Sequence, residues 1–203
     1  MAVPVLILGP SGSGKSASMR NFSPNEVGVF NVASKPLPFR TKLPLFNCSD
    51  YGKIMAAMKK SDKKIFVIDD DQYLSVFANF ARAKETGYTK FVDMALNEYN
   101  LIQFVIQQLP ADTVVYFLRH IEVEDGGRIK AKTIGKMLDQ NLGGLEGLFS
   151  VVLMAGTDGK EWWFETQSDG YTPAKSPIGM WEDRKIPNDL KSVTETIRAY
   201  WEI

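Results

Sequence analysis

Cysteine and histidine are nearly absent: among 203 residues there is one of each, Cys48 and His120. A lone cysteine excludes an intrachain disulfide and any multi-cysteine zinc site, and a lone histidine excludes a histidine-rich metal centre. Net charge is lacking as well, because 24 Lys and Arg balance 24 Asp and Glu. That balance removes the overall basic signature of a protein that coats nucleic acid and leaves such work to a local basic segment. No long hydrophobic run is present either. The apolar start Met1 to Leu8 has no basic region before it and breaks at Gly9, too soon for a signal peptide or a membrane span. The expectation is a cytoplasmic protein without membrane contact, in the host cell if the chain is phage-encoded. What is there, 44% hydrophobic and 24% charged residues, suffices for an ordinary core in a single domain over residues 1–203.

Short β-branched and aliphatic runs alternate with stretches of helical periodicity, the pattern of an α/β fold with a mainly parallel sheet flanked by helices. Val3 to Leu8, Val27 to Val32, Ile65 to Ile68, Thr113 to Leu118 and Phe149 to Met154 read as strands buried on both faces. Helices are expected over Gly14 to Asn21, Tyr51 to Lys59, Gln72 to Ala83 and Lys90 to Leu109, the last closed by Pro110. In that helix Phe91, Met94, Ala95, Leu101, Ile102, Val105 and Ile106 form a core stripe. The second half adds antiparallel hairpins. Asp125-Gly126-Gly127 turns within Glu122 to Lys130, and Thr157 to Lys160 turns between Val151 to Ala155 and Trp162 to Thr166. Pro173, Pro177 and Pro187 leave Asp169 to Pro187 irregular. A closing helix over Leu190 to Trp201, capped by Asn188 or Asp189, turns Val193, Ile197 and Trp201 to the core.

The strongest chemical signal is Gly9-Pro10-Ser11-Gly12-Ser13-Gly14-Lys15-Ser16, which matches G-x-x-x-x-G-K-[ST] between the first strand and the first helix. Glycines at this spacing let main-chain N–H groups curl around a phosphate, and a helix opening near Gly14 would aim its positive end at the same anion. The expected ligand is ATP with Mg²⁺, held by Gly9 through Ala17. Lys15 would reach the β- and γ-phosphates, and the Ser16 hydroxyl would meet the metal. A second element is Ile65-Phe-Val-Ile-Asp-Asp-Asp71, an apolar strand that ends in acids. Asp69 would sit opposite Ser16 across the Mg²⁺, and Asp70 or Asp71 could orient an attacking water. Asp71 could instead cap the helix that begins at Gln72.

Val114 to His120 is another apolar strand with a polar end, and ligands of such sheets lie at the carboxyl ends of the strands. His120 is therefore a candidate γ-phosphate sensor or water-positioning group, with a structural histidine as the alternative. After it come Arg128, Lys130, Lys132 and Lys136, diluted by Glu122, Glu124 and Asp125. These four cations are the candidate contacts to single-stranded DNA, against a solvated hairpin of mixed charge. No aromatic residue occurs from Ile121 to Leu148, so base stacking would have to come from elsewhere. In Trp162-Trp163-Phe164 alternation puts Trp163 opposite its two neighbours, with core packing as the simplest role and contact of one face with solvent, a subunit or a base as the alternative.

The motifs at Gly9 to Ser16 and Ile65 to Asp70, the strand ending in His120, and Lys132-Thr-Ile-Gly-Lys136 occur together with Ala174-Lys-Ser-Pro177, Gly179-Met180 and Ile186-Pro-Asn-Asp-Leu190. Together they resemble the phage-type, core-only RecA-like P-loop ATPases related to Sak-type single-strand annealing and recombination proteins. The resemblance spans most of the chain. It implies a RecA-like core, Mg·ATP between the subunits of a homo-oligomer, and work on single-stranded DNA in recombination, annealing or replication. Two departures stand out. RecA-like enzymes keep a catalytic glutamate just after the second strand, whereas here Ala33-Ser34-Lys35 follows it, which leaves Asp70 as the candidate base. Relatives insert a Lys-x-Arg pair into the neighbour's γ-phosphate site; here only Lys175, or Arg184, could be that finger. Two other readings compete: a nucleotide-binding assembly or packaging subunit with little hydrolysis, and a small-molecule kinase, whose phosphate loop is similar but whose arginine-rich lid has no counterpart between Ser23 and Lys64.

Overall fold

In the computed structural model, which describes residues 1–203, the apolar runs lie side by side in one sheet. Its strands are β1 (Val3–Leu8), β2 (Val27–Asn31), β3 (Leu45–Asn47), β4 (Ile65–Asp69) and β5 (Val114–Arg119). After the separate hairpin of β6 (Ile121–Val123) and β7 (Ile129–Ala131) come β8 (Val151–Thr157), β9 (Trp162–Glu165) and β10 (Lys185–Pro187). The order across the sheet is β10-β9-β8-β1-β5-β4-β2-β3. Pairing is parallel from β8 to β3, and β9 and β10 add antiparallel strands at one edge.

Every residue of β1, β4 and β5 is buried, because helices cover both faces of the sheet. Alternation sends Leu6, Leu8, Ile68 and Phe117 to one face, against α1 (Tyr51–Lys60), α2 (Gln72–Ala81) and α3 (Thr89–Gln108). Ile7, Val67 and Tyr116 point the other way and meet Val193 and Ile197. Those two belong to α5 (Leu190–Trp201), which follows the short α4 (Met137–Leu142) in the chain. Each fully buried aliphatic side chain here contributes about 1.5–3 kcal/mol. The caps agree with the chain's chemistry: Asp50 accepts from the Lys53 N–H at 2.8 Å, and Asp189 accepts from the Lys191 N–H at 2.9 Å.

Three expectations need correction. The helix expected over Gly14 to Asn21 is one 3₁₀ turn, Ser16–Met19. Ser18 and Asn21 favour local turns over helix interiors, and Pro24 closes the segment just before β2. The sheet gains β3, a three-residue strand whose apolar signal is too short to read, and the irregular segment Asp169 to Pro187 contains β10. Asp71 makes no side-chain cap to α2; its carboxylate is taken by Arg119.

Candidate nucleotide site

Strand register brings three chain segments to one edge of the sheet. Leu8 is level with Arg119, and the Gly9 N–H donates to the Arg119 carbonyl at 3.3 Å. Ile68 is level with Phe117, and the Asp71 N–H donates to the Leu118 carbonyl at 3.0 Å. The loop after β1, Asp70 after β4 and His120 after β5 therefore share a cleft of about 710 Å³. β5 lies between β1 and β4, so His120 stands between the glycine loop and the acids.

The loop from Gly9 to Ser16 is built for close approach. A Cβ on Gly9 would collide with Ser13 Oγ and come within 3.0 Å of the Ala155 carbonyl. Gly14 has φ of 88°, and a Cβ there would stand 2.7 Å from the Trp162 ring. The N–H groups of Gly12, Gly14, Lys15 and Ser16 have no partner in the protein, so the loop presents a ring of free donors. With only one 3₁₀ turn behind it, the loop could hold an anion through these N–H groups and Lys15 but not through the end of an α-helix. The Lys15 ammonium is buried and donates to the carbonyls of Gly9 at 2.8 Å and Pro10 at 2.9 Å. Burial pulls its pKa down to about 8, against the opposing pull of Asp70 and Asp69.

The acids divide by environment. Asp69 is buried and accepts from the Ser16 hydroxyl on Oδ1 at 2.7 Å, and burial raises its pKa to about 6. Its Oδ2 is buried without any partner. An orphaned carboxylate oxygen beside a serine hydroxyl and a ring of N–H donors fits a Mg²⁺ that arrives with a nucleotide's phosphates. No three His, Cys, Asp or Glu side chains gather anywhere to hold a metal by themselves, so a cation at Asp69 would need the nucleotide's oxygens as well. Asp70, also buried, takes an ion pair from Lys35, and His120 Nε2 lies 3.4 Å from its Oδ1. Burial works to raise its pKa, but the contacts to His120 and Lys35 outweigh it and hold the pKa near 2. Asp71 is turned away from the cleft. It takes the Arg119 guanidinium at 2.7 to 3.1 Å, and Arg119 also donates to Glu98 at 3.2 Å, all three fully buried.

The structure adds residues for which the sequence suggests no place in the cleft. Lys35, from the turn after β2, faces Asp70. Trp162 is half-exposed at the mouth, and its Nε1–H donates to the Gly12 carbonyl at 3.3 Å; packing inside the core is not its role. Phe164, on the same strand face, is fully buried, while the opposite-facing Trp163 lies under the Lys185 ammonium at 4.0 Å. Asn188 lines the cleft with a buried, unpartnered Nδ2, and Arg20 fixes it through the Asn188 carbonyl at 2.8 Å. The alternation around Trp162 is legible in the sequence, whereas Arg20 and Lys35 carry no local signal, and Asn188 reads as a helix cap until the fold brings it to the cleft.

The basic hairpin leaves β5 directly after His120, and the Lys132 N–H donates to the His120 carbonyl at 2.9 Å. Lys130 is neutralised by Glu124 at 3.1 Å and Asp139 at 2.9 Å. Arg128, Lys132 and Lys136 are exposed and make no ion pair. The aromatic residue missing from this stretch arrives from another: the Ile129 N–H donates to the Tyr171 carbonyl at 2.8 Å, and the exposed Tyr171 ring lies beside Gly127. Lys175 exchanges main-chain hydrogen bonds with Val152 toward the amino end of β8, outside the cleft of its own chain. No helix is long and apolar enough to cross a membrane.

A comparison with protein-family models finds no match, and none of the curated proteins compared with the chain matches it.

Proposed function

We propose that the chain is a P-loop ATPase with a RecA-like core that binds Mg·ATP and acts, as a homo-oligomer, on single-stranded DNA in recombination, annealing or replication of the phage type. One observation carries the nucleotide reading: the loop that leaves the N–H groups of Gly12, Gly14, Lys15 and Ser16 unpartnered also donates the Ser16 hydroxyl to Asp69, whose other carboxylate oxygen is free. Lys15 and the loop would hold the phosphates, and Ser16 and Asp69 would hold the metal. Mg²⁺ there would neutralise phosphate charge and orient the phosphates. Asp70 would orient the attacking water and His120 would sense the γ-phosphate. The placement of β5 between β1 and β4 supports the RecA-like reading over a small-molecule kinase, because it sets a polar side chain between loop and acids. The cleft wall at Arg20, Lys35 and Phe39 offers no arginine-rich lid for an acceptor nucleotide.

The assembly-subunit reading is favoured by one feature, the tether of Asp70 to both Lys35 and His120, which would keep hydrolysis slow. Phosphate release with ATP alone, with added single-stranded DNA and with nucleoside monophosphates separates the readings. Stimulation by DNA is the expected outcome; stimulation by a monophosphate would indicate the kinase, and ATP binding with flat, slow release would indicate the assembly subunit.

A further inference from the structure

β2 ends in a turn whose construction exceeds what a connection to β3 requires. Asn31, buried at the strand end, donates through Nδ2 to the Lys35 carbonyl at 2.8 Å and to Asn47 Oδ1 at 2.9 Å. The Ser34 N–H closes on the Asn31 carbonyl at 3.2 Å with Ser34 at φ of 53°, a left-handed conformation costly for a residue with a side chain. Pro36 and Pro38 then stiffen the chain as it leaves. Across the cleft, Asp70 is left-handed too, at φ of 59°. Of the three non-glycine residues at positive φ, one is next to Lys35, one is Asp70, and the third is the C-terminal cap of α5. Strain of this kind persists where the surroundings fix a particular geometry, and here it fixes an ammonium against a carboxylate at the mouth of the phosphate loop.

The pair is not a stabilising surface bridge by design, since Lys35 is half-exposed at 52% while Asp70 is 3% exposed. Lys35 lines the same cleft as Lys15, Ser16 and His120. It also occupies the place after the second strand where the sequence offers no carboxylate. We infer that Lys35 is a cis-acting phosphate ligand, a second cation that recognises the terminal phosphate of a nucleoside triphosphate and leaves Asp70 free when it does so. The inference rests on the nucleotide reading of this cleft. A diphosphate lacks the group that Lys35 would meet, so the expected consequence is selectivity for triphosphate over diphosphate. A lysine suits this role as a compact charge on a flexible stem that can exchange one anionic partner for another.

The test is equilibrium binding, without turnover, of ADP and of the non-hydrolysable analogue adenylyl imidodiphosphate to the parent chain, Lys35→Ala, Asp70→Asn and the double variant. Lys35→Ala should weaken the analogue about tenfold, the scale of one charge-assisted contact, and leave ADP within about twofold. The same loss should persist when Lys35→Ala is made in the Asp70→Asn background, because the contact is to phosphate. An unchanged analogue-to-ADP ratio in Lys35→Ala would overturn the assignment. So would a loss that disappears in the Asp70→Asn background, since Lys35 would then act only by neutralising Asp70. Failure of the parent chain to bind either nucleotide would instead overturn the nucleotide reading, and this inference with it.

Discussion

Arg119 and His120 are adjacent, yet their side chains serve different layers of the molecule. The alternation along β5 puts Arg119 on the face of Phe117, under α3, while His120 at the strand end reaches the cleft. The sequence shows Arg119 as part of the polar end of an apolar strand. What it does not display is that Glu98 and Asp71 arrive at the same buried point from other elements, a convergence that exists only once α3 packs on the sheet. One guanidinium there serves two carboxylates, and burial pushes the Asp71 pKa up to about 6 in spite of Arg119. Removing the cation leaves both carboxylates buried and unpaired, so Arg119→Met should cost about 3–5 kcal/mol of unfolding free energy near neutral pH. Urea unfolding of the variant measures this, and a loss below about 1 kcal/mol would mean that the carboxylates take up protons and need no cation.

At the scale of elements, the hairpin of β6 and β7 is the test of the DNA reading. Its position was legible, because Asp125-Gly126-Gly127 marks the turn and β-prone residues flank it. Its partners were not: Lys130 spends its charge on Glu124 and Asp139, and Tyr171 joins from a distant turn held by the Asp169 side chain. The core strands β1, β2, β4, β5 and β8 were equally readable from unbroken apolar runs, whereas β3 and β10 exist only through pairing with β2 and β9, and Ser18 and Asn21 favour turns where the first helix was expected. Electrostatic and stacking interactions with DNA should separate in solution. Neutralising Arg128, Lys130 and Lys132 should weaken single-stranded DNA binding and flatten its salt dependence by about 0.7 in slope for each phosphate that is no longer neutralised. Lys130 should contribute least. Tyr171→Ala should weaken binding at every salt concentration with the slope unchanged, because stacking releases no counterions. A triple variant with the parental slope would leave the hairpin as a solvated, charge-balanced turn.

For the whole molecule, one sheet order organises everything else. Because β5 separates β1 from β4, the glycine loop, His120 and Asp70 line one cleft, and the hairpin that leaves β5 is held to the His120 carbonyl by the Lys132 N–H. Lys175 lies outside its own chain's cleft, so it could act as a finger only if an oligomer brought it to a neighbour's cleft. All of this depends on the cleft taking Mg·ATP, and the most direct measurement is a calorimetric titration of ATP, with and without Mg²⁺, into the parent chain and Lys15→Ala at matched folding. The expected result is saturable binding that Mg²⁺ strengthens and that Lys15→Ala weakens at least about tenfold, or about 1.4 kcal/mol. No saturable binding by the parent chain, or equal binding by Lys15→Ala, would contradict it.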